Sequence, residues 1–198
     1  MANSKKAIQV PLLKRERSVL AVIDVQENFL NKLTLHEREP LVARIAWIMQ
    51  VAAALDIPIV ATAEDVSPTL NMLPQLKDLL PPGQTVFNKM VFSLYGQDDI
   101  RKAVEALDKS DVVLVGQETD VCIAQSAIDL CDAGYQVWVA DDATASPGPH
   151  HEAGLQRMRN AGVIISGLKG IYYEWLRDVP ATIAIKQVIE SVPVDLTL

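Results

Sequence analysis

Apolar residues in this chain fall into short continuous bursts, separated by stretches in which they recur every three or four positions. The bursts occupy residues 18–23, 59–62, 112–115, 136–140 and 163–166, with a weaker one at 85–89. Runs this short and this rich in β-branched side chains have the signature of strands buried on both faces. Between them, Leu41, Ile45, Ile48, Val51, Ala52 and Leu55 repeat at helical spacing. They predict a helix from His36 or Pro40 to Leu55, with Pro40 in its first turn. Residues 98–107 predict a charged amphipathic helix, 150–160 a helix closed by Gly162, and 172–177 and 182–189 two terminal helices. Residues 141–149 read as a loop. Bursts alternating with helices mean parallel strands joined by crossover helices. The fold class expected is therefore α/β: one three-layer α/β/α domain over residues 1–198, with a six-stranded parallel sheet in the Rossmann-like order 3-2-1-4-5-6. Residues 1–17 form an arm, and residues 178–198 a terminal helix and apolar tail that packs on another subunit or on its own domain.

The junction at 111–130 draws attention because strand, turn and helix follow with almost nothing between. Val112 to Val115 form the strand, and Val121, Ala124, Ile128 and Cys131 the apolar positions of the helix. The turn lies at Gly116 to Asp120, and Thr119 or Asp120 can cap the helix. Cys122 then falls in the first turn, where free backbone N–H groups and the positive dipole end should ease ionisation of its thiol. Cys131, nine residues on, points to the opposite helix face and is read as ordinary packing. Asp24 ends the first burst and Lys89 ends the third. Open α/β sheets gather ligand-binding groups at the carboxyl ends of strands. In the expected order, strands one and four flank the crevice, so Asp24 and Cys122 share it, while Lys89 must be delivered by its loop or its long side chain. A carboxylate can take a thiol's proton and return it to a leaving group, and an ammonium stabilises the thiolate.

Composition narrows the field. At 198 residues with 49% hydrophobic and 22% charged content, the chain fits one globular domain. The net charge of -7 is spread along the chain and its basic clusters are short, so no nucleic-acid partner is expected. Two cysteines on opposite faces of one helix make no disulfide framework, which points to a reducing compartment. Without a signal-like or membrane-length apolar stretch, the expected location is cytoplasmic, with no membrane partner. Neither G-x-G-x-x-G nor a P-loop occurs, so a nucleotide-binding or flavodoxin-like domain rests on the sheet pattern alone. Trp47 and Trp138 are read as core, whereas Trp175 and Tyr172-Tyr173 sit in the core or at a subunit contact.

The segments Leu20-Ala-Val-Ile-Asp24-Val-Gln-Glu-Asn-Phe29, Phe87-Asn-Lys89 with Phe92-Ser93, and Gly116-Gln-Glu-Thr-Asp-Val-Cys122 together resemble the isochorismatase-like cysteine hydrolase superfamily. Asp141 to Ser146, His151, Ala153, Arg157-Met158 and Gly162 resemble it too. The resemblance implies a catalytic triad of Asp24, Lys89 and Cys122. It also implies a cis peptide at Gln117-Glu118, with the backbone N–H groups of Glu118 and Cys122 as an oxyanion hole. Phe29, Phe92, Tyr95 and Glu118 are substrate-pocket candidates by adjacency. The implied activity is hydrolysis of a C–N bond in a small amide or carbamoyl-type substrate through a thioester. The alternative is a catalytically inactive binding or assembly module of the same fold. The nicotinamidase branch carries a metal-binding acid and histidines after strand two, whereas this chain has Ala63-Glu64-Asp65-Val66-Ser67-Pro68. No metal and no cofactor are therefore expected, and nicotinamide is not the expected substrate. His150 and His151 read as surface residues opening a helix rather than as a catalytic base. The resemblance also implies a homo-oligomer, a dimer or higher.

Overall fold

The computed structural model describes residues 11–189, 192, 193, 195 and 196. The apolar bursts become β1 (Ser18–Ile23), β2 (Ile59–Glu64), β3 (Phe87–Lys89), β4 (Asp111–Gln117), β5 (Gln136–Ala145) and β6 (Ile164–Ser166). They form a six-stranded sheet in the order β3-β2-β1-β4-β5-β6. Every neighbouring pair is parallel. β1 and β4 are buried along their whole length, which is why their cores show no polar alternation.

Helices cover both faces. They are α1 (Glu27–Leu30), α2 (Leu35–Ala54), α3 (Pro74–Lys77), α4 (Asp98–Ala106), α5 (Ala124–Asp132), α6 (His150–Asn160), α7 (Leu168–Leu176) and α8 (Val179–Val188). Leu20, Val22, Val113, Val115 and Trp138 face a core built with Ile45, Trp47, Ile48, Tyr172 and Trp175 of α2 and α7. Val19, Ala21, Ile23, Val112 and Leu114 face the other core, with Ile100, Ala127, Leu155 and Met158 of α4, α5 and α6. This alternation is the pleat itself, and each fully buried Leu, Ile or Val contributes about 1.5–3 kcal/mol. Trp175 and Tyr172 belong to the core, Trp175 donating from Nε1 to Ser18 Oγ at 3.0 Å, while Tyr173 is partly exposed.

Several elements depart from the sequence expectation for physical reasons. α2 starts at Leu35, one residue before the earlier of the two expected starts, because the Glu37 carboxylate accepts from the Thr34 backbone N–H at 2.8 Å, so Pro40 lies inside the helix rather than in its first turn. β5 runs on through residues 141–145, expected as loop. A register shift opposite Leu114 and Gly116 absorbs Asp141-Asp142 and lets Thr144 and Ala145 pair with Gly116 and Gln117. A π-helical turn at Thr119–Ile123 precedes α5 and rotates it. The buried positions there are Ile123, Ala124, Ala127 and Leu130, not the stripe through Ile128 and Cys131. α7 and α8 each begin earlier than their apolar residues suggest, α8 being capped by the Asp178 carboxylate, which accepts from the Ala181 N–H at 2.8 Å. Of the N-terminal arm, Leu13 is fully buried. Of the tail, Leu196 and Val192 pack on the chain's own α2–α7 core. Among the described residues, no helix is long and apolar enough to cross a membrane.

Candidate active site

Asp24 follows β1 directly, in the left-handed region at φ 50°. Its N–H donates to the Thr62 carbonyl at 3.1 Å, and Thr62 Oγ1 donates to its Oδ1 at 2.8 Å. Lys89 is the last residue of β3. Its register opposite Glu64 places the side chain over the end of β2, and Nζ reaches within 2.9 Å of Asp24 Oδ2. Cys122 sits in the π turn that leaves β4, with Sγ 3.7 Å from Lys89 Nζ. Asp24 and Lys89 are fully buried and Cys122 is 2% exposed. β1 and β4 approach closely here: a Cβ on Gly116, at φ 121°, would lie 2.0 Å from the Ile23 carbonyl oxygen. α6 presses on the turn from outside, where a Cβ on Gly154 would lie 2.8 Å from Asp120 Cα.

Burial sets the protonation states. The Cys122 thiol is pushed well above its ordinary range by burial first and then by the Asp24 carboxylate, with Lys89 opposing and Glu64 adding. The sequence expectation of an easily ionised thiol is thus corrected. A helix terminus contributes on the order of 1 kcal/mol, which burial beside carboxylates outweighs. Asp24 is also raised, by burial, against the Lys89 charge. Burial alone would lower Lys89, but the facing Asp24 carboxylate leads the opposing charges and the net shift is upward. Lys89 is thus driven toward its charged form and the thiol toward its neutral one.

The family model for the isochorismatase domain matches residues 18–169. The chain belongs to the isochorismatase family. The secreted isochorismatase effector Isc1 of Phytophthora sojae is 30% identical over 165 residues, covering 81% of this chain and 78% of that protein. Two solved structures share the fold. The MAR1 ribonuclease of Caenorhabditis elegans has a TM-score of 0.82 at 24% identity, covering 95% of this chain and 97% of that one. The YcaC gene product of Escherichia coli, described as an octameric hydrolase of unknown specificity, has a TM-score of 0.86 at 22% identity, covering 94% and 92%.

Around this isochorismatase-family site the other expected residues scatter. The Gln117–Glu118 peptide is cis. The Glu118 carboxylate accepts from Lys32 Nζ at 2.9 Å, and that ammonium lies 4.8 Å from the centroid of the buried Phe29 ring. Phe92 is 54% exposed. Tyr95 turns away: its hydroxyl donates to Glu105 at 2.9 Å and its ring meets Tyr135 at 5.7 Å, in a cavity at the amino ends of β4 and β5. Adjacency to Lys89 in sequence misleads here, because the turn at Leu94–Gly96 sends the ring to the opposite end of the sheet. His151 Nδ1 lies 2.8 Å from Thr119 Oγ1 and braces the turn, while exposed His150 lies 3.9 Å from Asp120. Sequence reasoning left Glu64 and Gln26 without a role. Glu64 Oε2 is 3.5 Å from both Lys89 Nζ and Cys122 Sγ. Its signal was its place just beyond the second burst, at the carboxyl end of β2, as Asp24 stands at that of β1. Ligand atoms of Asp24, Glu64 and Cys122 lie within 4.8 Å of one another, a spacing that suits a cation. The Lys89 ammonium, in contact with all three, already fills that role.

Proposed function

We propose that this isochorismatase-family protein is a cysteine hydrolase that cleaves a C–N bond of a small amide or carbamoyl compound through a thioester, with Asp24, Lys89 and Cys122 as its triad. One observation carries the reading: a fully buried ammonium stands 2.9 Å from a carboxylate and 3.7 Å from a thiol, each from a different strand end. Because the thiol is protonated at rest, attack and proton transfer go together. Cys122 Sγ bonds to the carbonyl carbon as its proton passes to Asp24, a carboxyl whose affinity for a proton burial has raised. The backbone N–H groups of Glu118 and Cys122 receive the oxyanion. Asp24 then protonates the departing nitrogen, the C–N bond breaks, and ammonia or an amine leaves. Asp24 next takes a proton from water, the hydroxide attacks the thioester, the C–S bond breaks and Cys122 regains its proton. Lys89 stays charged throughout and keeps the Asp24 carboxylate ionised between turnovers.

The charge argues against a polyphosphate substrate, since the net -7 of the chain and the carboxylates around Cys122 repel a nucleic-acid backbone. Two unpaired cysteines fit a reducing compartment, the cytoplasm. Exposed Met90, Val91 and Phe92 beside Lys89 fit assembly into a homo-oligomer. The near-complete burial of Cys122 favours the second reading, a binding or assembly protein without turnover. A panel of small primary amides and ureas, scored by ammonia release and by the mass of acid-quenched protein, separates the two. The hydrolase reading expects ammonia and an acyl adduct on Cys122, both absent in Cys122→Ser. Folded wild-type protein giving neither with any compound supports the binding module instead.

A further inference from the structure

The fourth side chain at the site is built in as firmly as the triad. Gln26, fully buried, clamps the Glu64 backbone twice: its Nε2 donates to the Glu64 carbonyl at 3.0 Å, and its Oε1 accepts from the Glu64 N–H at 2.6 Å. That clamp ties the end of β2 to the loop after β1 and aims the Glu64 carboxylate at Cys122 Sγ and Lys89 Nζ, 3.5 Å from each. Glu64 is also the group that meets solvent. Its side chain is 28% exposed, while those of Asp24 and Lys89 are fully buried. The nearby charges do not balance, because Lys89 is committed to Asp24 and Lys32 to Glu118, each at 2.9 Å. The carboxylate of Glu64 is the surplus, held by the longer contact to Lys89 and by the Cys122 thiol, each at 3.5 Å.

We infer that Glu64 determines specificity at this site, which takes small amides whose group beside the scissile carbonyl is neutral or cationic and donates an N–H to Glu64, and excludes amides carrying a carboxylate there. The substrate class rests on the hydrolase reading above. In the resting protein the thiol is the donor to Glu64. When the Cys122 proton moves to Asp24, an N–H of the bound amide takes the vacated acceptor. A carboxylate in the same place would face Glu64 across a few ångströms of poorly screened space.

The test uses the 198-residue chain carrying Cys131→Ser, so that Cys122 is its one thiol. Its alkylation rates with iodoacetamide and iodoacetate, equal in size and different in charge, are measured at one pH and each divided by the rate with 2-mercaptoethanol. Thiol ionisation enters both rates equally, so their ratio reads the charge at the opening. The expected ratio favours iodoacetamide by roughly tenfold, falls to within about twofold in Glu64→Gln, and shrinks with added salt in the unsubstituted site. The salt series needs no substitution at Glu64 and serves if Glu64→Gln does not fold. A ratio near one, or a ratio that Glu64→Gln leaves unchanged, overturns the inference. Matched amides bearing an ammonium, a neutral or a carboxylate group complete the test by kcat/KM, the anionic one being the poorest and recovering in Glu64→Gln. Equal hydrolysis of all three refutes the role of Glu64 alone. No hydrolysis of any, with the alkylation ratio intact, refutes the hydrolase reading and the substrate class with it.

Discussion

Two fully buried aspartates stand at opposite ends of the two central strands, and their surroundings differ in kind. Asp111, at the amino end of β4, receives Arg17 Nη2 at 3.0 Å and Ser110 Oγ at 2.9 Å, and Arg17 remains 43% exposed. Asp24, at the carboxyl end of β1, faces a lysine with no solvent contact, beside a thiol and a second carboxylate. The first arrangement ties the arm before β1 to β4 with a guanidinium that does not titrate. The second crowds three groups able to hold a proton around one ammonium. A buried carboxylate paired with a cation is thus no sign of chemistry by itself. What marks the Asp24 end is the excess of proton-holding groups over cations, at the strand ends where an open sheet leaves a crevice.

The comparison breaks most sharply on turnover. Cys122→Ala should lower amide hydrolysis by about 10⁴-fold or more while the circular dichroism spectrum is unchanged, and Asp111→Asn should retain most of the activity. Retained turnover in Cys122→Ala would remove the nucleophile from the mechanism.

Stability separates the two aspartates next. Lys89→Met strands Asp24 in the interior and should cost about 3–5 kcal/mol in denaturant unfolding, much of it recovered by adding Asp24→Asn. Asp111→Ala removes a pair whose arginine is already half in solvent and should cost about 1–2 kcal/mol. Equal losses at the two ends would show that burial of the aspartate, rather than burial of its cation, sets the cost.

pH gives a smaller effect of definite sign. The folded-state pKa of Cys122 lies above the ordinary 9.0, so its contribution to stability is complete below pH 9 and is lost as pH rises beyond that. The wild-type unfolding midpoint should therefore fall more steeply above about pH 9 than that of Cys122→Ala, and the alkylation rate at Cys122 should still be rising there. A plateau in alkylation below pH 8.5 would mean that the helix terminus outweighs burial after all. The smallest effect expected is that of Cys131→Ser, within about 0.5 kcal/mol and silent in turnover, since half-buried Cys131 touches none of the site.

Much of this was legible along the chain. Runs such as residues 18–23 and 112–115 are apolar throughout because both faces of β1 and β4 are covered, so strand identity survives in one dimension. Asp24 and Lys89 could be singled out because each breaks an apolar run at its carboxyl end, and Cys122 because it follows a strand-to-helix turn, six residues after Gly116. Glu64 stands in an equivalent place but was indistinguishable from any acid ending a strand. Its meaning comes from the Gln26 clamp, 38 residues away, and from the β2–β3 register that sets Lys89 beside it. Tyr95 shows the opposite failure, a neighbour in sequence sent to the far end of the sheet. The run-on of β5 was hidden because Asp141-Asp142 reads as turn, and only the bulge against β4 keeps the strand paired.

By itself, then, the sequence determined the alternation of strand and helix, the parallel sheet that follows from crossover connections, and the three strand ends that carry Asp24, Lys89 and Cys122. Each of these is written in local spacing, which burial on one or both faces imposes directly on residue choice. Tertiary structure alone decided that the Lys89 side chain crosses β2 to reach Asp24, that the Glu64 side chain stays partly exposed beside that pair, and that burial strengthens the Cys122 thiol's hold on its proton. Those depend on strand register and on the exclusion of water by residues far apart in the chain. The energy of a charge depends on everything packed around it, and no spacing along the sequence records that.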